Sequence, residues 1–179
     1  MRQVLHLLPI GAVDVELVTW VQRELVELFR IPCQMLEPPL DPAFAYHSER
    51  DQYHSSEILG AMQACVTSRS WRVLGITGHD LYIPILTFVF GEAQMGGPCS
   101  VVSSHRLRQE FYGLPPDRKL LANRLLTECV HELGHTLDLT HCRDYQCVMA
   151  SSHAVEWIDL KESRFCPECS MKARPQAQW

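Results

Sequence analysis

The segment HELGHTLDLTHC, residues 131–142, gathers three histidines, a glutamate and a cysteine within a single short stretch. His131 and His135 are four residues apart, so on a helix both imidazoles leave the same face one turn apart. That spacing suits two ligands of one tetrahedral zinc ion. Glu132 is rotated about 100° around the helix from His131. It is badly placed to share the ion with both histidines, yet it can reach a water activated by the metal and take its proton. A bare HExxH also occurs on solvated helix faces. The helical context and a third histidine, His141, six residues after His135, argue against that reading here.

The cysteines divide into two groups. Cys33, Cys65, Cys99 and Cys129 are scattered and read as small buried hydrophobes. Cys142, Cys147, Cys166 and Cys169 crowd the C-terminal quarter as CxxxxC and CxxC. Four thiolates in that spacing suit a closed tetrahedral zinc site, structural because no position is left for water. The sequence between them carries little apolar periodicity, so metal would supply folding free energy there. A redox CxxC at Cys166 and Cys169 lacks the βαβ context that reading needs. A four-cysteine interaction module remains a rival.

The string HELGHTLDLTH matches the extended HExxHxxGxxH zinc motif of the metzincins, with Asp138 at the glycine position. The residues C-terminal to it narrow the likeness. HCRDYQCVMASS and DLKESRFCPEC resemble the archaemetzincin family of zinc metalloproteases. A cysteine directly succeeds the third histidine, then come Cys147-Val148-Met149 as CxM, sixteen residues, and a closing CPEC. GHDLYIPILTFVFGEAQ and SSHRL, farther upstream, are also similar to that family.

The resemblance implies a metallopeptidase with two zinc ions. His131, His135 and His141 would hold the catalytic zinc, with Glu132 as general base. Cys142, Cys147, Cys166 and Cys169 would hold a structural zinc, and Met149 would sit in a tight turn beneath the site. FVFGEAQ would be an edge strand along which an extended peptide or protein substrate lies. The implied fold class is α/β (α+β), a metzincin-like zincin fold. It comprises a mixed twisted sheet with an antiparallel edge strand, a long active-site helix and a loop-rich, zinc-stapled C-terminal part.

Asp138 departs from the pattern. Glycine suits a helix end in the left-handed conformation, and Asp tolerates it at about 1 kcal/mol. Either the cap is merely strained, or His141 is displaced and the catalytic zinc weakly bound. The second possibility keeps an alternative open: a catalytically weak or inactive metzincin-like zinc-binding interaction module. Lys161 and Asp159 read as solvated loop charges. His79, His105 and His153 read as scattered histidines and Tyr82 as a core or surface tyrosine, none with an assigned role.

These residues need a scaffold. VLHLLPI reads as a strand, 13–30 as an amphipathic helix, IPCQML as a strand, and SEILGAMQACVTS as a helix capped by Ser55 or Ser56. WRVLGIT reads as a third strand, so the pattern implies βαβ units and a parallel sheet. ILTFVFGEAQ and CSVVSSHRL read as short strands without a helix between them, and DRKLLANRLLTECVHELGHTL as a long helix. One metallopeptidase domain over residues 1–179 is expected. Its upper helix-and-sheet part covers about 1–138, its lower zinc-stapled part about 139–171, and a flexible tail 172–179.

A hydrophobic fraction of 46% with 21% charged residues is ordinary for a globular protein. A net charge of −5 argues against nucleic acid as partner. No apolar run reaches the roughly 18 residues of a membrane span. His6 and Pro9 interrupt the opening apolar run, which reads as a buried strand and not as a signal peptide. A cytoplasmic monomer is the resulting expectation.

Overall fold

The computed structural model describes residues 3–173. Strand β1 (Val4–Ile10) is buried at every position. The helix α1 (Val15–Phe29) returns the chain to β2 (Cys33–Met35), which pairs parallel with β1. Asp14 caps α1 by accepting from the Leu17 N–H at 3.0 Å, and Leu17, Val18, Val21, Leu25 and Phe29 form its buried stripe. Then come β3 (Tyr46–His47), β4 (Gln52–His54), α2 (Ser55–Met62), β5 (Ser70–Thr77), β6 (Leu81–Tyr82), β7 (Gly91–Ala93) and β8 (Cys99–Ser103). The C-terminal part holds α3 (Arg118–Thr136), α4 (Val155–Asp159) and α5 (Pro167–Ala173).

The main sheet runs β2-β1-β5-β8-β7. Its first four strands are parallel and β7 is antiparallel to β8. This is the expected α/β arrangement with an antiparallel edge. Strand β1 lies inside the sheet and packs on both faces, Leu5 and Leu7 in one core cluster and Leu8 and Ile10 in another, which explains its burial at every position. A small second sheet, β3-β4-β6, lies apart.

Three local expectations fail. Residues 85–90 do not form a strand beyond a single bridge at Val89, and only Gly91–Ala93 joins the sheet. The apolar run there serves the wall of a cleft instead of a ladder. Neither Ser55 nor Ser56 caps α2: the cap position is His54, and both serine hydroxyls donate to the Glu92 carboxylate of β7. Lys172 and Ala173, expected in the tail, belong to α5. Residues 174–179, the rest of the expected tail, lie outside the described residues.

Helix α3 carries the candidate site, so its anchoring decides the geometry. Asp117 caps it by accepting from Leu120 N–H at 2.9 Å. Leu126, Val130, Leu133 and Leu137, the expected stripe, are all buried. Burial extends around the whole helix from Arg124 to Gly134, because the sheet covers one side and the C-terminal segments the other. Buried Arg124 locks that second side: its guanidinium donates two hydrogen bonds to Asp159 at 2.7 and 2.6 Å and one to the Leu107 carbonyl at 2.9 Å. Asp159 is therefore a structural partner of α3, not a solvated loop charge. Among the described residues, no helix is long and apolar enough to cross a membrane.

Removing the guanidinium leaves a half-buried carboxylate and a carbonyl without donors. Arg124→Met is expected to lower unfolding free energy by about 2 kcal/mol. Urea denaturation checks this, and an unchanged midpoint would show that the clamp is dispensable.

Candidate active site

The last turn of α3 presents His131 and His135 on one face. His131 Nδ1 lies 2.7 Å from the Val148 carbonyl, and His135 Nδ1 lies 2.7 Å from the Leu139 carbonyl. A carbonyl can only accept, so each Nδ1 carries its hydrogen and each Nε2 keeps a lone pair. Those two Nε2 atoms are 3.1 Å apart. Two lone pairs facing at that distance repel unless a cation sits between them. Nitrogens on one tetrahedral zinc are separated by about 3.3 Å, given zinc–nitrogen bonds near 2.0–2.1 Å. Burial holds the His131 imidazole far below its ordinary pKa, and it lowers His135 and His141 as well. The rings are thus neutral and available as ligands.

His141 is brought to the same point: its ligand nitrogen and those of His131 and His135 all lie within 4.8 Å of one another. The turn that returns it ends α3 in two backbone bonds. The Asp138 N–H donates to the His135 carbonyl at 3.0 Å and the Leu139 N–H to the Gly134 carbonyl at 3.1 Å. This is a Schellman cap, which requires a left-handed residue between them. Asp138 takes that conformation, with φ of 63°. It occupies the glycine position without displacing the third histidine.

Beneath the histidines, Met149 packs its sulfur directly against the backbone at Gly134, where a Cβ would collide with it and with Phe165. A similar close approach holds Glu132. A Cβ at Gly91 would meet Glu132 Cγ at 2.7 Å and the Val101 carbonyl at 2.7 Å. The buried Glu132 carboxyl is thereby wedged under the edge strand β7. Its proton affinity is raised well above an ordinary carboxyl by burial first, then by the Glu128 and Glu92 charges. Lys161 works in the opposite direction.

The four cysteines converge at a second point, with all sulfurs within 4.8 Å of one another. Cys142 Sγ and Cys166 Sγ are 3.9 Å apart, far beyond a disulfide. Sulfurs on one tetrahedral zinc lie about 3.8 Å apart for bonds near 2.3 Å. Backbone N–H groups aim at the sulfurs: Met149 and Cys166 donate to Cys147 Sγ at 3.5 and 3.3 Å, and Cys169 to Cys166 Sγ at 3.5 Å. Such donors favour thiolate, and the Cys169 N–H is the main reason the Cys166 thiol is shifted down. Burial pushes Cys147 and Cys169 up, a cost that bound metal would offset.

The three histidines line a cleft of about 540 Å³. Its upper wall is Ile83 and residues 86–93, and Ser151, Ser152 and His153 form the lower wall. His153 is therefore close to the site, whereas His79, His105 and Tyr82 do not line it. Tyr82 is buried on β6, with the Arg50 guanidinium over its ring at 4.0 Å. Lys161 is not a solvated charge: its side chain is 1% exposed and faces Glu128, with Nζ 3.7 Å from Oε1. The sequence could not reveal Glu128 or the carbonyls of Leu139 and Val148, because only tertiary contact gives them a role. The one available hint was that Glu128 precedes Glu132 by one helical turn.

Comparison with known proteins points the same way. The family model described as Peptidase family M54 matches residues 43–174. The archaemetzincin of Methanocaldococcus jannaschii is 40% identical over 165 residues, covering 92% of this chain and 89% of that protein. The crystal structure of archaemetzincin from Methanopyrus kandleri superposes with a TM-score of 0.82 at 31% identity, covering 98% of this chain and 95% of that one. A zinc-dependent peptidase from Methanocorpusculum labreanum gives 0.86 at 28% identity, covering 94% and 99%.

The left-handed Asp138 has a measurable consequence. Asp138→Gly is expected to raise unfolding free energy by up to about 1 kcal/mol, because glycine takes this conformation without a Cβ penalty. Thermal unfolding at equal metal loading checks it, and a clear loss of stability would mean that the Asp side chain supports the turn.

Proposed function

Because this chain belongs to peptidase family M54, the archaemetzincin family of zinc metallopeptidases, we propose that it hydrolyses peptide bonds with His131, His135 and His141 as the catalytic zinc ligands and Glu132 as general base. One observation carries the reading: the Nε2 atoms of His131 and His135 face each other at 3.1 Å while both Nδ1 atoms are committed to carbonyls. Zinc held by the three imidazoles would supply a Lewis acid that polarises the scissile carbonyl and lets water ionise near neutral pH.

The chain's own groups account for the rest. The free edge of β7 offers main-chain N–H and C=O groups to an extended peptide, which fixes the scissile bond over the cleft floor. Glu132, held by the close approach of Gly91, accepts the proton of the attacking water on a carboxylate oxygen. It then delivers that proton to the leaving amine nitrogen. A buried carboxyl with raised proton affinity is suited to hold the proton between the two transfers. The walls of the cleft, with Phe88 and Phe90 above, limit water around the reacting groups.

A second zinc, held by Cys142, Cys147, Cys166 and Cys169, is structural in this reading. It would complete one metallopeptidase domain by stapling the segment that carries His141 and Met149. The Asp138 turn supports retained zinc binding over the inactive-module alternative, since His141 still reaches the other two histidines.

Three measurements test this. Glu132→Gln is expected to lower turnover of a peptide library by at least about a hundredfold with zinc content unchanged. Activity surviving that change would remove Glu132 from the mechanism. By metal analysis, the native chain should hold two zinc ions, and His141→Ala and Cys166→Ser one each. The Cys166→Ser protein alone should lose several degrees of thermal stability. Loss of both ions in either variant would show that the two groups of ligands do not act as separate sites.

A further inference from the structure

We propose that Glu128, together with Ser152, recognises a basic side chain on the substrate residue that supplies the leaving amine. This rests on the peptidase reading above and names the substrate class of the same cleft. Glu128 precedes Glu132 by four residues, so it lies on the same face of α3 about 6 Å farther along the axis. It sits on the side of Glu132 away from His135. Glu132 hands its proton to the leaving nitrogen, so the residue bearing that nitrogen lies toward Glu128.

The pocket there is polar and incompletely satisfied. Glu128 Oε1, Lys161 Nζ and Ser152 Oγ are buried without a hydrogen-bond partner among the described residues. The Glu128 side chain is only 4% exposed, and its separation of 3.7 Å from Lys161 Nζ exceeds hydrogen-bond length. Buried polar atoms almost always have partners. Two such oxygens in the lining of one cleft, Glu128 Oε1 and Ser152 Oγ, therefore mark where a ligand's polar group belongs, while Lys161 pairs with Glu128 from behind.

Charge decides which ligand. Glu92, Glu128 and Glu132 line the cleft, and among the described residues no lysine or arginine lines it. Glu92 is engaged by Ser55 and Ser56. Lys161 does not line the cleft; it stands behind Glu128 and offsets one of the carboxylates. Acceptors thus face the cleft while the Lys161 ammonium is screened from it. An ammonium or guanidinium donor fits, and an acidic side chain would meet three carboxylates.

The test uses zinc-loaded Glu132→Ala protein and acetyl-Ala-Ala-Xaa-Ala-amide peptides with Lys, Leu or Glu at Xaa, titrated by calorimetry. The lysine peptide is expected to bind about tenfold more tightly than the leucine peptide, as for a desolvated charge-assisted hydrogen bond. The glutamate peptide should bind more weakly still. Adding Glu128→Gln should bring the lysine-to-leucine ratio close to one. If that double variant does not fold, Ser152→Ala should lower the ratio by a few-fold. Equal binding of the three peptides, or preference for glutamate, overturns the proposal without any variant. Cleavage of a mixed library by the native protein separates the two claims. Lysine-preferring binding without cleavage contradicts only the peptidase reading. Cleavage without Lys or Arg after the cut bond contradicts only this one.

Discussion

The whole arrangement depends on ending α3 within one residue. If the helix continued past Leu137, His141 would lie farther along the rod, away from His131 and His135. The left-handed Asp138 stops it, and the two cap bonds turn the chain back. That reversal also delivers the Leu139 carbonyl to His135 Nδ1. On its outer side, the His135 carbonyl accepts from the Gly96 N–H, tying the turn to the loop between β7 and β8. One backbone conformation thus places His141, orients the His135 ring and joins the helix to the edge of the sheet.

Beyond the turn, adjacent residues serve different centres. His141 returns to the helix, and Cys142 belongs to the four-cysteine cluster while its N–H donates to the Met149 carbonyl at 2.9 Å. Residue Val148, between Cys147 and Met149, supplies the carbonyl that orients His131. The cysteine loop therefore contacts the histidine site at three points: through His141, through the Val148 carbonyl and through the Met149 sulfur under Gly134. Metal in the four-cysteine cluster would stiffen all three. Apolar packing also holds the lower part, because Cys147, Val148, Met149, Val155 and Ile158 belong to the same hydrophobic core as α1 and α3.

Much of this was legible in sequence because the chemistry is local. The HExxH spacing works only on a helix, and α3 supplies it. The CxM and CxxC spacings announced a convergence that the loops deliver. β1 and the stripe of α3 came from apolar patterning alone. The misses share one physical origin. Ile85–Phe90 looks like a strand because it is apolar and β-branched in part, yet Leu86 to Phe90 line a cleft wall, and sequence does not distinguish a wall from a ladder. Ser55 and Ser56 look like caps but are recruited by Glu92, which is distant in sequence. Lys161 and Asp159 look solvated because charge usually is. Glu128 receives the buried Lys161 ammonium and Arg124 anchors Asp159, both on a helix some thirty residues earlier. Asp138 was legible only in part: composition shows that αL is tolerable there, while the cap bonds show that it is used.

In the proposed reading the neighbouring residues His141 and Cys142 bind different metals, with the turn at Asp138 aiming the first and the four-cysteine cluster holding the second. Diffraction from the zinc-loaded protein at the zinc absorption edge tests it most directly. The account predicts two anomalous peaks, one among the Nε2 atoms of His131 and His135 and the ring of His141, the other among the sulfurs of Cys142, Cys147, Cys166 and Cys169. A single peak, or one ion bound by His141 and Cys142 together, would contradict it.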